Sequence, residues 1–326
     1  MLQRRLKINR EDGVTVGETP LLVPAVSSRV NLPIKDLIQS IEEFVTGPLL
    51  VSAYDVNFSK KKFPKVTFPD LIFLDSGGYE CNIDQYISDI GMYNPNPKKW
   101  THSLYKKTLE GWNTDIPTVF ISFDHPKVRK PLEEQISDAN KLLSNKKDYL
   151  KELLVKPETK KSHKVNIERL SKCVNLLSDF NIIGFTEKEL GNSVLDRMVS
   201  IAKIRQILDD ENITIPVHIF GSLDPVVTPL YYFAGADIFD GLSWLRFMFK
   251  DGDTLYHESF GPKQYGVQVN LKTVWGATVS NNYNYMQKLK LDLESFSKTK
   301  NLETFGKNAD FYKRALEYLS TRMEVK

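Results

Sequence analysis

The chain has 326 residues, 41% hydrophobic and 26% charged, with 17 glycines and 16 prolines; this excludes extended disorder and lies within reach of one large α/β barrel. A net charge of +3 requires any affinity for nucleic acid to come from clustered charge rather than overall excess. The two cysteines, Cys81 and Cys173, exclude a disulfide scaffold and stand in no metal-ligand spacing.

In chain order, the N-terminal MLQRRLKINREDG is basic but lacks the apolar core of a signal peptide. No later stretch has the apolar length of a membrane span, so a cytoplasmic protein with no membrane partner is expected. Eight short apolar runs follow: LLVPAV (21–26), LLVSAY (49–54), LIFLD (71–75), TVFISF (118–123), ELLVKP (152–157), NIIGF (181–185), PVHIF (216–220) and DIFDG (237–241). They are continuously apolar rather than alternating, the pattern of parallel strands covered on both faces. Helical patterns lie between most of them, at about 35–46, 97–111, 131–149, 166–179, 189–210 and 224–234, the last opening on Asp224 and Pro225. The connection 55–70 has no helical pattern and reads as irregular. Two further helices are expected near 281–298 and 307–323.

Eight strands alternating with helices predict a closed (β/α)8 TIM barrel, an α/β fold with irregular insertions and C-terminal helices. The barrel would run from about 15 to 250 and the helical extension from about 280 to 326, within a single domain. An open doubly wound sheet is the alternative, but no G-x-G-x-x-G follows the first strand.

Active sites of such barrels lie at the C-terminal ends of the strands. Those positions hold Asp75, Asp124, Gly184, Gly221 and Asp240. One aspartate there is ordinarily a turn or cap residue; three at one mouth point to carboxylate chemistry. Basic residues fall in the same loops: Lys127, Arg129 and Lys130 after the fourth strand, Lys160, Lys161 and Lys164 after the fifth, Arg246 and Lys250 after the eighth, and Lys60, Lys61, Lys62 and Lys65 after the second. Such a rim would attract a polyanion, although any single cluster reads equally well as a solvated loop. Tyr79 and Phe220 are placed either to flank a flat heterocycle or to fill core.

These motifs resemble the tRNA-guanine transglycosylase superfamily, barrel enzymes that exchange a guanine for a 7-deazaguanine without cutting the strand. TVGETPLLVPAVSSR resembles its E-T-P-x-F-M-P-V-G segment, DSGGYE its D-S-G-G-[FY]-Q, and FDHP its F-D-E-C. NIIGFTEKELG is similar to its I-G-G-L-x-V-G-E region, and IFGSLDP with GADIFDGLSWLR to its L-M-G-V-G-x-P and G-x-D-x-F-D-x-x-x-P-x-R. The resemblance implies Asp240 as the nucleophile at C1′ and Asp75 as the general acid/base. It implies Asp124 and backbone around Gly184, Phe185 and Gly221 as the base pocket, with Gly77 and Gly78 giving the base room. Tyr79 and Phe220 would sandwich the base, and Arg246 would contact phosphate.

The chain also departs from that pattern. Residues 250–280 contain no cysteine, and Ser280 and Asn281 stand where the family's zinc-binding histidine would be. His257 alone cannot make a zinc site, so no metal and no cofactor are expected. VKPETK replaces a Q-G-G, Glu80 replaces a glutamine, and Ser52 stands for an asparagine on the sugar side. The leading expectation is the DNA-modifying branch, inserting a 7-deazaguanine such as preQ0 into DNA. Alternatives are the same reaction on tRNA, a non-catalytic nucleic-acid-binding subunit, or an unrelated lyase or aldolase using Lys156, the only strand-end lysine. The resemblance also implies a homodimer or a partner subunit.

Overall fold

Strands short enough to end within one turn of their apolar run, and buried on both faces, close on themselves here. The structure is a computed structural model that describes residues 3–30, 32–59, 63–81, 97–125, 127–144 and 149–324. Eight strands, β1 (Leu21–Val26), β2 (Leu49–Ser52), β3 (Ile72–Asp75), β4 (Thr118–Ile121), β5 (Leu150–Val155), β6 (Ile182–Thr186), β7 (Val217–Phe220) and β8 (Ile238–Gly241), form a closed barrel in that order. Neighbours are parallel throughout, and β8 closes on β1 with Ile238 opposite Leu21 and Asp240 opposite Val23.

All residues of β1, β2 and β4 are buried, because one parity fills the barrel and the other packs under the helices. Val23, Phe73, Ile121, Leu154 and Ile238 belong to the interior cluster. Leu22, Leu74 and Phe120 belong to the larger one around it. This is the side-chain filling that makes such a barrel a packed core rather than a pore.

Helices cover the connections at Ile34–Ile41, His102–Gly111, Leu132–Leu143, Ile167–Cys173, Val194–Asp210 and Val227–Phe233. The Val194–Asp210 helix starts on a capping box in which Ser193 and Asp196 satisfy each other's backbone amides. The helix expected from about 224 begins only at Val227: Asp224 Oδ1 accepts from the amides of Val226 (2.8 Å) and Val227 (3.2 Å), ahead of the α-helix itself. The run LLVSAY stops as a strand at Ser52, and Ala53–Phe58 forms a short helix within the connection expected to be irregular.

An N-terminal hairpin, Lys7–Asn9 paired with Thr15–Glu18, turns at Asp12 and Gly13 (φ 82°). It buries Ile8 in the interior cluster, closing the end of the barrel opposite the mouth. After β8, a second hairpin (Met248–Lys250 with Asp253–Leu255) precedes a helix at His257–Tyr265. A long helix follows at Leu271–Thr299, starting ahead of its expected position because Asn270 caps it (Lys272 N to Oδ1, 2.7 Å). The last helix spans Ala309–Glu324. Buried Asn282 fastens the long helix to the loop after β8, and Tyr283 accepts from the amides of Thr46 and Gly47 at 3.0 Å. Among the described residues no helix is long and apolar enough to cross a membrane.

Candidate active site at the barrel mouth

β3 delivers Asp75 at its last position, and the chain turns at once. The Gly77 amide donates back to Asp75 Oδ2 at 2.9 Å. Gly77 has φ 81°, and a Cβ on it would stand 2.6 Å from Tyr54 Cβ; a Cβ on Gly78 would stand 2.7 Å from Asp124 Oδ2. The two glycines therefore make room for protein neighbours, drawing β2, β3 and β4 together at the mouth. Burial pushes the Asp75 carboxyl up to about 8, with Glu80, Asp240 and Asp124 adding to the shift and the Gly77 amide opposing it. Asp75 thus holds its proton at neutral pH.

Asp240 is buried on β8 in different company. Its Oδ1 accepts from the Gly221 amide at 3.0 Å and faces His218 Nε2 at 3.3 Å. The second contact is an ion-pair approach rather than a well-aligned hydrogen bond. Gly221, with φ 81°, turns its N–H back onto the carboxylate in a conformation that disfavours side chains. Asp240 Oδ2 takes no hydrogen bond from the described residues.

Behind Asp240 lies a pair the sequence reading missed. His218 on β7 and Glu152 on β5 are fully buried, with Nδ1 2.8 Å from Oε1. Burial pulls the imidazole down, but Glu152 and then Asp240 override it and push it up to about 9. Burial raises the Glu152 carboxyl, opposed by His218. Phe220 stacks on the imidazole at 4.0 Å between centroids. Gly184 is the reason both fit: a Cβ there would lie 2.4 Å from Glu152 Oε1 and 2.5 Å from Phe220 Cε2. The neighbouring Phe185 directs its side chain into the outer cluster, and its position pairs with Val155 and Ile219 in the sheet.

The remaining expected residues divide by what already engages them. Asp124 stands beside Arg129 (Oδ1, 3.4 Å) and Lys156 (Oδ2, 3.2 Å), so a base edge would share oxygens that two cations already face. Lys156, for which the sequence showed no partner, also meets Glu189 at 2.8 Å. Burial lowers its ammonium, but Asp124 and Glu189 outweigh this and raise it, the opposite of what a Schiff-base lysine requires. Arg129 also donates to the His125 carbonyl at 2.7 Å, Lys130 pairs with Asp138, and Lys127 is exposed. A cavity of about 460 Å³ opens beside Asp124, lined by Lys106, Arg129, Lys141 and Lys156 among others.

Tyr79 carries the Arg29 guanidinium over its ring at 4.4 Å, and its hydroxyl accepts from Arg246 at 2.7 Å. Lys250 donates to Gln264 at 2.6 Å. Lys60, Lys61 and Lys62 lie outside the described residues. Among the described residues no group of three or more His, Cys, Asp or Glu is placed to hold a metal ion. Asn281 instead donates to the Tyr265 hydroxyl, and His257 Nδ1 to the Arg246 carbonyl, each at 2.8 Å.

A second unforeseen cluster sits on the β1–β3 side. Glu80 accepts from Ser27 (2.6 Å) and Ser52 (2.8 Å), while Asp55 accepts from the Ser28 amide at 2.8 Å. Burial, then Glu80, pushes Asp55 up to about 7, and burial also raises Glu80. Ser52 and Glu80 were noted separately in the sequence; their hydrogen bond makes them one feature.

Fold and site together define a parallel eight-stranded barrel protein with carboxyl groups gathered at the C-terminal mouth. No family model matches the chain, and no curated protein matches it.

Proposed function

We propose that this chain is a base-exchange transglycosylase, replacing a guanine in DNA with a 7-deazaguanine such as preQ0 through a glycosyl–Asp240 intermediate. The observation that carries this reading is the unequal setting of the two carboxyl groups. Asp75 is held protonated among other carboxyls, while Asp240 is held by an amide and a buried histidine with one oxygen unencumbered. Such a division separates an acid from a nucleophile, as retaining glycosidases do at an anomeric carbon.

Asp240 Oδ2 attacks C1′, the glycosidic electron pair leaves with the guanine, and Asp75 supplies the proton the departing base takes up. The incoming base returns a proton to Asp75 and attacks C1′, and the electron pair of the C1′–Oδ2 bond goes back to Asp240. The target must leave its stack to reach a barrel mouth, where Tyr79 and Phe220 would bracket it. DNA is favoured over tRNA because Ser52 and Glu80, where the resembled family carries amides, are bonded to each other. Neither offers an amide to a 2′-hydroxyl.

The test is incubation with labelled guanine or preQ0 and either duplex DNA or unmodified tRNA, followed by counting label in polymer. Label should enter DNA, and Asp240→Ala should abolish this. Label in tRNA alone would sink the DNA assignment, and label in neither would favour a non-catalytic binding subunit. Polymer affinity should fall steeply with salt, its logarithm dropping by about 0.9 per phosphate contact for each tenfold rise in salt.

A further inference from the structure

Glu152 and His218 take no part in the bond changes above, yet both are fully buried on strands whose inward side chains, Leu150, Leu154 and Phe220, belong to or pack against the apolar interior cluster. Ionisable groups so placed carry a large desolvation cost, and apolar residues of similar volume would fill the space without it. Their arrangement shows which group gains. Glu152 faces His218 Nδ1 from β5, and Asp240 faces Nε2 from β8, at 2.8 and 3.3 Å. From β3 and from β7 itself rings approach: Phe73 edge-on at 5.5 Å and Phe220 stacked at 4.0 Å. The imidazole thereby lies between two carboxyl groups, hydrogen-bonded to Glu152 and within ion-pair distance of Asp240. A carboxyl group at each ring nitrogen, one bonded to Nδ1 and one within ion-pair distance of Nε2, favours the imidazolium over a neutral ring, because a neutral ring offers no charge to the second carboxyl.

We propose that the Glu152–His218 pair positions Asp240 for nucleophilic attack and stabilises its carboxylate each time the glycosyl bond to it breaks. The inference rests on Asp240 being the nucleophile. Holding Oδ1 from behind directs Oδ2 to the mouth. When Asp240 becomes an ester its negative charge is lost, and a lone buried imidazolium would then shed its proton. Glu152 prevents this by remaining as the counter-charge. When the incoming base displaces the ester, the electron pair returns to Asp240 opposite a cation that is still in place. Pre-arranged charge of this kind acts where charge develops and needs no reorganisation. Glu152 and His218 are thus positioning residues acting through Asp240, and Gly184 is required because its missing Cβ leaves space for Glu152.

The first measurement needs no substrate. In 15N-histidine NMR spectra, with His218 assigned by its loss in His218→Gln, the wild-type ring should remain imidazolium through pH 8. Glu152→Gln should make it neutral near or below pH 7. A neutral wild-type His218 at pH 7 overturns the proposal whatever the activity. In the exchange assay, Glu152→Gln and His218→Gln should each lower kcat by more than about tenfold while KM moves less than about threefold. Glu152→Gln should also shift the alkaline limb of the rate profile to lower pH, which lost packing alone would not do. Unchanged kcat and pH profile in Glu152→Gln overturn the proposal. An inert wild type whose His218 still discharges in Glu152→Gln overturns the exchange reading and leaves the charged pair standing. Should the variants not fold, His218 is assigned through nuclear Overhauser contacts of its ring with Phe73 and Phe220, and the wild-type ring state decides.

Discussion

Asp75 ends its strand with one backbone amide on its carboxyl and with Glu80, Asp240 and Asp124 near enough to raise it. Its proton has a thermodynamic consequence as well as a chemical one. The folded group titrates at about 8 and an unfolded aspartate near about 4, so the native state binds the extra proton between them, and stability falls as pH rises through that window. Asp75→Asn removes the penalty. It should abolish exchange and raise the melting temperature, most at pH 8 and least near pH 4; a lowered melting temperature at pH 8 would refute the assignment. Gly184→Ala tests the opposite kind of constraint. Its Cβ meets Glu152 Oε1 and Phe220 Cε2 well inside van der Waals distance, so it should cost about 1–3 kcal/mol by overpacking, read from denaturant melts. The positions of Asp75, Asp124 and Asp240 at the barrel mouth were legible in the sequence because each ends an apolar run. Glu152 and His218 were not, because a polar residue inside a run reads as part of the strand. The available signal was parity: both share the inward parity of their strands, Glu152 with Leu150 and Leu154, and His218 with Phe220.

At the scale of elements, the strands were readable because burial on both faces makes each a block of apolar residues, and their ends were less so. Ser52 closes β2 where the apolar pattern continues into Ala53 and Tyr54, because these residues are buried as a helix rather than as a strand. The N-terminal hairpin was missed although Asp12–Gly13 is a turn signal, since only Ile8 among its residues is buried and the alternation is weak. The long helix at Leu271–Thr299 has a use that periodicity does not reveal. Asn282 donates to the carbonyls of Trp244 (2.7 Å) and Phe247 (2.6 Å) and accepts from the Phe249 amide (2.7 Å). It therefore holds the segment that carries Arg246, whose guanidinium bonds Tyr79 at the mouth. Asn282→Leu leaves three buried backbone groups without a partner and should cost more than about 2 kcal/mol. It should also weaken polymer binding while leaving the His218 ring signal unchanged. Full stability in this variant would show that the helix does not fasten the loop.

The whole molecule is polarised along the barrel axis: an apolar plug around Ile8 at one end, and at the other a mouth where ionisable groups are buried in numbers. That asymmetry sets how the protein responds to pH. The raised carboxyls, Asp55 at about 7 and Asp75 at about 8, hold protons in the native state, so stability declines as pH climbs from about 4 through 8. His218 acts on a later window. Its folded value of about 9 lies above the ordinary value, so its contribution is complete below about 6.5 and is lost as pH rises through 9. The carboxyls lowered at the surface, Glu133 and Asp196, work the other way, and their contribution fades as pH falls through their lowered values; being open to solvent, they weigh little. Both buried effects have the same sign, so melting temperature should be highest at mildly acidic pH and fall continuously from pH 6 to pH 9. Calorimetric melts across that range, with Asp75→Asn and His218→Gln in parallel, separate the two windows. Asp75→Asn should flatten the decline up to pH 8, and His218→Gln should flatten the part between pH 7 and 9. A melting temperature that rises from pH 7 to pH 9 in the wild type would mean that the mouth does not hold its protons, and the division of labour between Asp75 and Asp240 would fall with it.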